Sequence, residues 1–581
     1  MKRTFALILA IVIAVALLNG CGQKTGGNAE VTNTAAAEQT PAQGTPEQST
    51  PEPDPESPYN FAVGKYETGP DGWATGLYSY ELPLATTDET FSYYVLNFTP
   101  QYIPDNDMQA VPYVQEKAVM TGVNIEYILC TMENVSTMFS VMMASDDIPD
   151  IVSMGNNRIG MSMEEAINEN WYCNIYDYKE YMPNYFYLVQ EYAKESPSLL
   201  RNTFIHDDMV GMIWTFINVA PEEGWYLRQD WMDELNLGKA GDVTTIDELY
   251  DVLTAFKAAY GDNEHWPMTV FAWFELSPGR LFSGYNTSLW NIIIGYYKRV
   301  NEGKVEFCGA TDDDLAAMTR LHQWWDEGLI DPNYSSYMDS IMINSVVAQD
   351  RLGYVFGAPT SVPVWEELCV DPDCRYEPTP RLRLYEDQEL QWNLGKAVTF
   401  SMWTISAKCA NLPLVLSWTD WHYSTEGSDF CTWGLEGSTW EYDDAGERML
   451  TEFVLEHPAG PSSILSIYAG GDVGVFDLRR NFAYDGGERF YAMYNVWDVS
   501  EYYGGKLDFP ADFTLSAEAG NEVTALSGDL STYYAENYNA FFDGSRPLSE
   551  WDDYIASLME MGLERVYEIY QSELDVYYSA Q

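Results

Sequence analysis

The sequence predicts an α/β protein with a mostly parallel sheet, long enough for two large lobes. The 581 residues exceed what one small core uses. From Tyr93 onward, apolar runs of strand length alternate with segments of helical periodicity. No internal repeat and no low-complexity tract interrupts that pattern after residue 58.

The opening residues stand apart from this body. Residues 1–20 read as a signal segment, in which Lys2 and Arg3 precede an almost unbroken apolar run from Phe5 to Leu18, too short to span a bilayer comfortably. The run ends in Leu18-Asn19-Gly20-Cys21, which resembles the lipobox of bacterial lipoproteins; lipid on Cys21 would anchor the chain to a membrane without spanning it. Residues 21–58 carry Pro41, Pro46, Pro51, Pro53, Pro55 and Pro58 among Thr, Ala, Gln and Glu, and hold too few large apolar side chains for a core. A flexible chain of that length reaches on the order of 35 Å, enough to hold a folded head clear of a membrane. No later stretch combines the length and apolarity of a transmembrane helix, so the head is expected outside the cytoplasm, on the outer face of the cell membrane.

In the head, Tyr93 to Phe98 reads as a buried strand, Val111 to Gly122 as a helix stopped by glycine, and Val123 to Ile128 as a second, alternating strand. Val135 to Ala144 is an apolar helix, and Asp150-Ile151-Val152 a third short strand. Thr245-Ile246-Asp247-Glu248 has the spacing of a capping box, followed by Leu249, Val252, Leu253 and Phe256 on one face and Gly261 as the stop. A further helix is expected from about Asp314 to Glu327, with Leu315, Met318, Leu321 and Trp325 on its apolar face. Two helices close the chain, one carrying Trp551, Ile555 and Leu558 up to Gly562, the other running from Leu563 to about Tyr577.

Formal charge is −59, from 30 basic and 89 acidic residues. Such a field excludes nucleic acid as a partner and disfavours a strongly anionic ligand. Beyond Cys21 there are seven cysteines, which cannot all pair; Cys369 and Cys374 either close a small disulfide loop or join the others as ordinary buried thiols.

Five segments together resemble the family 1 extracellular solute-binding proteins, in the branch holding oligosaccharide and alginate receptors, over roughly residue 93 to the C-terminus. They are Met142-Met143-Ala144-Ser145-Asp146-Asp147-Ile148-Pro149-Asp150-Ile151-Val152; Leu227-Arg228-Gln229-Asp230-Trp231-Met232-Asp233-Glu234-Leu235-Asn236-Leu237; Glu327-Gly328-Leu329-Ile330-Asp331-Pro332; Asp420-Trp421 running into Ser424-Thr425-Glu426-Gly427, with Trp433-Gly434-Leu435-Glu436-Gly437 after it; and Trp551-Asp552-Asp553-Tyr554 with the closing Met561-Gly562-Leu563. Each is weak alone, and their order behind a lipobox and tether is the signal.

The resemblance implies a two-lobe, periplasmic-binding-protein-like fold of type II, with a multi-pass hinge and an interlobe ligand cleft. It further implies a monomer that captures an oligosaccharide, catalyses nothing, and delivers its cargo to the permease subunits of an ABC importer. On this reading residues 59–220 open the N-terminal lobe, 221–390 build the C-terminal lobe, 391–437 return to the first, and 438–581 finish the second. Relatives in this branch often carry a calcium loop after the helix that starts here at Thr245. Gly261-Asp262-Asn263-Glu264-His265-Trp266-Pro267 is too short and too poor in alternating oxygen ligands for one, so neither metal nor cofactor is expected.

Sugar rings offer apolar C–H faces edged by hydroxyls, so a receptor needs aromatic platforms bordered by amides, carboxylates and Arg. Clefts in open α/β sheets lie beyond the carboxyl ends of strands. That rule nominates Trp273 after Met268 to Phe271, Trp403 after Ala397 to Phe400, and Trp365 after the Gly357-Ala358-Pro359 break. Trp225 and Arg228 follow at the entry of the second lobe, with Tyr102, Asn156 and Asn157 on the first. Arg228 and Asp230 fit a structural ion pair as well as ligand contact. No Gly-x-Ser-x-Gly elbow, phosphate loop, dinucleotide glycine pattern or His-Glu-x-x-His occurs, and His206, His265, His322, His422 and His457 are isolated in sequence. A glycoside hydrolase working with two carboxylates, or a sensor on the same fold, is the competing reading.

Overall fold

The computed structural model describes residues 57–579 apart from short interior stretches, the longest being 218–222, 277–280 and 393–398. The signal segment, Cys21 and nearly all of the tether lie outside the described residues.

Two sheets organise the head. The first has six strands in the order Val475–Phe476, Ile213–Ile217, Thr399–Ile405, Ile151–Ser153, Thr90–Leu96 and Asn124–Cys130. Five run in one direction and only Thr399–Ile405 is reversed. The second has four strands, Tyr376–Pro378, Gly224–Arg228, Leu352–Gly357 and Trp266–Met268, and only Gly224–Arg228 runs against the rest.

The two reversed strands have one cause. Ile213–Ile217 leaves the first sheet and the chain enters the second at Gly224, while Tyr376–Pro378 leaves the second and the chain re-enters the first at Thr399. A strand fed directly from a crossing starts at the end where its neighbours finish, so it must run against them. Val475–Phe476 still pairs with Ile213–Ile217, so the chain remains with the first sheet well past residue 437 and crosses for the last time after Phe476.

Each sheet has its own core. Around the first pack Tyr93, Ile125, Phe216, Trp403 and Ile405, with Trp418 and Trp421 from the helix Leu412–Trp421. Around the second pack Tyr226, Leu253, Phe256, Trp324 and Tyr354. The early strand–helix–strand series forms as expected, including Val135–Ala144 and the helix Pro112–Thr121, which Gly122 ends in the left-handed conformation at φ 69°.

Ile246–Tyr260 carries the full capping box, with the Thr245 side chain on the Glu248 N–H and the Glu248 carboxylate on the Thr245 N–H. The next predicted helix is Asp312–Asp326, begun by a second box from Thr311 to Asp314. Its buried face is Ala317, Met318, Leu321 and Trp324, so Trp324 takes the core position assigned to Trp325. The closing pair is joined by a π turn at Met559–Leu563, where Gly562 sits at φ 119°, a conformation that a side chain would strain. Among the described residues no helix is long and apolar enough to cross a membrane.

Candidate functional site

Both sheets aim strand ends at one cleft. Its larger chamber, about 420 Å³, is lined by Leu96, Asn97 and Thr99 at and beyond the end of Thr90–Leu96, and by Ile217 and Phe476 at the ends of their strands. From the second sheet come Ala358, just after Leu352–Gly357, and Glu223, just before the reversed strand. The cleft therefore lies where open α/β sheets place their ligands, outside the carboxyl ends of the strands. A second chamber of about 350 Å³ adjoins it, with Pro363 and Leu368 on one side and Leu455, His457 and Tyr484 on the other.

The lining of the larger chamber mixes rings with small polar groups. Tyr127, Phe476 and Tyr494 supply aromatic surface; Thr99, Thr360, Ser463 and Ser466 supply hydroxyls. Burial raises the pKa of the Tyr494 phenol, and the neighbouring Glu223 charge adds to it, so this phenol stays an O–H able both to donate and to accept. Burial likewise pushes Tyr484 in the second chamber up to about 12. Glu223 is the one carboxylate among the described residues lining the larger chamber.

Arg480 also lines that chamber, yet its guanidinium faces protein. It donates to the Cys431 carbonyl at 3.2 Å and to the Thr432 carbonyl, and its carbon lies 4.0 Å from the centre of the Phe476 ring. The cation thereby fixes the turn Leu478–Phe482 to the first lobe and holds one aromatic wall in place.

Of the residues nominated from sequence, Arg228, Trp225 and Trp365 lie away from these chambers, for identifiable reasons. Arg228 ends the reversed strand, so it stands at the far end of the sheet from the cleft. It is fully buried, paired to Asp230 and Asp350 with Asp371 at 3.5 Å, and 4.6 Å from the Trp231 ring, the geometry of a structural ion pair. Trp225 stacks on Tyr354 at 4.8 Å inside the second core. Trp365 is on the helix Val362–Leu368, packed edge-on to Tyr226 and donating its indole N–H to Asn344 Oδ1 at 2.7 Å.

Trp403 falls in mid-strand because Thr399–Ile405 extends past the predicted end at Phe400. It packs on Tyr93 and Trp418 and lines a cavity of only about 40 Å³, which shares Met108, Tyr127 and Ser466 with the larger chamber. Tyr102 is half-buried and meets His457, a wall of the second chamber, edge-on at 5.1 Å. Trp273, Asn156 and Asn157 lie outside the described residues.

Cys369 and Cys374 are both free thiols. Asp262, in the stretch compared with a calcium loop, accepts the backbone N–H groups of Glu264 and His265. Of the residues that do line the cleft, Tyr127 was within reach of the sequence, since it sits near the carboxyl end of an anticipated strand. Phe476 and Tyr494 carried no such signal.

No protein-family model and no curated protein matches the sequence. Solved structures do resemble it. A structure of an alginate-binding protein superposes with a TM-score of 0.65 at 21% identity, covering 84% of this chain and 99% of that one. A human-milk-oligosaccharide (HMO) binding, ABC-transporter-associated solute-binding protein from Bifidobacterium longum infantis superposes at 0.64 with 17% identity, covering 84% and 99%. The S. pneumoniae ABC-transporter substrate-binding protein in complex with kestose also reaches 0.64, at 18% identity over 85% and 100%. The chain therefore has the periplasmic-binding-protein-like fold of these solute-binding proteins.

Proposed function

We propose that the protein is an extracellular receptor that captures a neutral oligosaccharide in the cleft between its two sheets and hands it, unreacted, to the permease of an ABC importer. The observation that carries this reading is the pair of adjoining chambers between two independent cores, the larger walled by Tyr127, Phe476 and Tyr494, the second by Phe482 and Tyr484, with hydroxyls and the Asn481 amide between them. Flat rings cover the C–H faces of a sugar while the polar groups meet its hydroxyls. Two lobes joined by three crossings can close on such a ligand by hinge rotation.

The sugar-binding proteins that share the fold support the ligand class. The overall acidity supports a neutral ligand; Glu223 is the one carboxylate among the described residues lining the larger chamber, while Glu367 and Glu456 line the second, so hydrolysis is excluded by the recovery test below. Residues 1–20 act as the signal segment and Cys21 as the lipid anchor in this reading, with residues 21–58 as the tether, 59–220 and 391 to about 476 in the first lobe, and the remainder in the second.

A thermal-shift screen of the tether-free head against neutral oligosaccharides tests it. A true ligand at 100 times its Kd stabilises the folded state by about 2.7 kcal/mol. The sugar should be recovered unchanged after prolonged incubation. Silence across the panel, or recovery of shortened sugars, contradicts the proposal.

A further inference from the structure

Three residues line both chambers: Thr360, Ser462 and Asn481. They come from three separate parts of the chain. Thr360 is on the turn Pro359–Ser361 just past the strand Leu352–Gly357; Ser462 is on the helix Pro461–Tyr468; Asn481 is on the turn Leu478–Phe482 that follows the last strand of the first sheet. We infer that the ligand runs through both chambers and is gripped at this neck, with the Asn481 side-chain oxygen accepting a hydrogen bond from it, so that the site selects sugars long enough to span the junction. The inference rests on the receptor reading above and deepens it.

Asn481 is 6% exposed, and its Oδ1 has no hydrogen-bond partner among the described residues. A buried amide oxygen left without a donor is destabilising; this one is closed to solvent as it stands, and a half-turn of the amide brings it to the junction, where a ligand can supply the donor. The neighbouring residues hold it still. Arg480 is tied to the Cys431 and Thr432 carbonyls, and the Asp477 carboxylate caps the turn by accepting the Arg479 N–H at 3.0 Å. The amide is thus presented from a rigid turn, the arrangement that limits the entropy lost on binding.

The chemistry of the acceptor narrows the ligand. A carbonyl oxygen is satisfied by an O–H or N–H, and a carboxylate or sulfate offers neither at pH 7. The group received at the neck is a sugar hydroxyl or an acetamido N–H. Thr360 and Ser462 bring hydroxyls that can donate or accept, which suits the mixed pattern of a sugar edge. A single sugar seated in either chamber satisfies its wall but leaves the other chamber to water; a longer one places a linkage at the neck and occupies both.

The test is calorimetric titration of the folded chain with neutral ladders from one to six units: maltodextrins, cellodextrins, and xylo-, manno- and fructo-oligosaccharides. For whichever ladder binds, affinity should rise with length until both chambers are filled. Asn481→Ala should weaken the long members at least tenfold and the shortest binding member less than twofold. Asn481→Asp keeps an acceptor of the same shape and should retain more affinity than the alanine variant. Should Asn481→Ala fail to fold, Thr360→Ala, made from the opposite side of the neck, should show the same length-selective loss. Equal losses at all lengths, or none at any, would overturn the inference while the receptor reading stands. Failure of every ladder on the unaltered protein would remove that reading, and this inference with it.

Discussion

Gly224 and Gly357 face each other in the antiparallel ladder at the cleft end of the second sheet, and neither has room for a side chain. A Cβ on Gly224 would collide with the Trp497 indole, and one on Gly357 would lie 2.6 Å from the Trp365 ring. These two glycines let aromatic rings pack flush against the sheet end where the first crossing enters. Gly224→Ala is expected to cost about 1–3 kcal/mol through overpacking, with a lower urea midpoint at unchanged slope. An unaltered midpoint would show that Trp497 moves aside freely.

Arg228 is predicted to matter for stability and not for capture. Arg228→Ala leaves Asp230, Asp350 and Asp371 without their shared cation. The loss should fall toward the lower end of the ~3–5 kcal/mol typical of a broken buried pair, because Asp350 and Asp371 keep contact with water. Denaturant unfolding measures this. Titration with a bound sugar should give a Kd within about twofold of the parent, and a large change in Kd at unchanged stability would return Arg228 to the ligand.

Asp420 is fully buried, accepting the backbone N–H of Tyr185 at 2.7 Å and the phenol of Tyr80 at 2.8 Å. Burial raises its carboxyl to about 7 in the folded state, against about 3.9 when unfolded. The folded protein thus holds a proton that the unfolded chain releases. The associated stability is fully present below about pH 4 and is lost as pH rises through about 7. Asp420→Asn mimics the protonated form, so stability measured at pH 5 and pH 8 should differ less in the variant than in the parent, by on the order of 1–3 kcal/mol. Equal pH slopes would contradict this.

Cys369 should be the first thiol to react. The hydrogen bond from Cys374 and the nearby Arg228 guanidinium hold it below the ordinary thiol range, whereas burial raises Cys173, Cys308 and Cys409. Brief alkylation with iodoacetamide at pH 7.5, followed by peptide mass mapping, should mark Cys369 ahead of the others. Uniform labelling, or preference for another cysteine, would contradict it.

Much of the architecture was legible because local signals and tertiary needs coincided. The capping box at Thr245 and the apolar spacing behind it specify a helix whatever surrounds it. Ala517–Phe542 was missed for the converse reason. Gly520, Ser527 and Gly528 weaken its propensity, and its order comes from Leu530, Tyr534, Tyr538 and Phe541 buried against the second core.

The cleft was legible as a rule and less so as residues. Strand ends do line it, yet Trp403 lies inside a strand that runs five residues past the end at Phe400 that apolarity plus a local break define, and the place of Arg228 at the far end of its sheet was hidden because nothing local reveals which strand is reversed. Asn481 and Tyr494 reach the cleft from short irregular turns that carry no periodicity at all.

The most direct test is a crystal structure of the head grown with the tightest-binding oligosaccharide from the ladders. The account predicts intact sugar between the two sheets, ring faces against Tyr127, Phe476 or Tyr494, and a ligand O–H or N–H within about 3 Å of Asn481 Oδ1. Sugar bound outside the cleft, or a cleaved product inside it, would contradict the account.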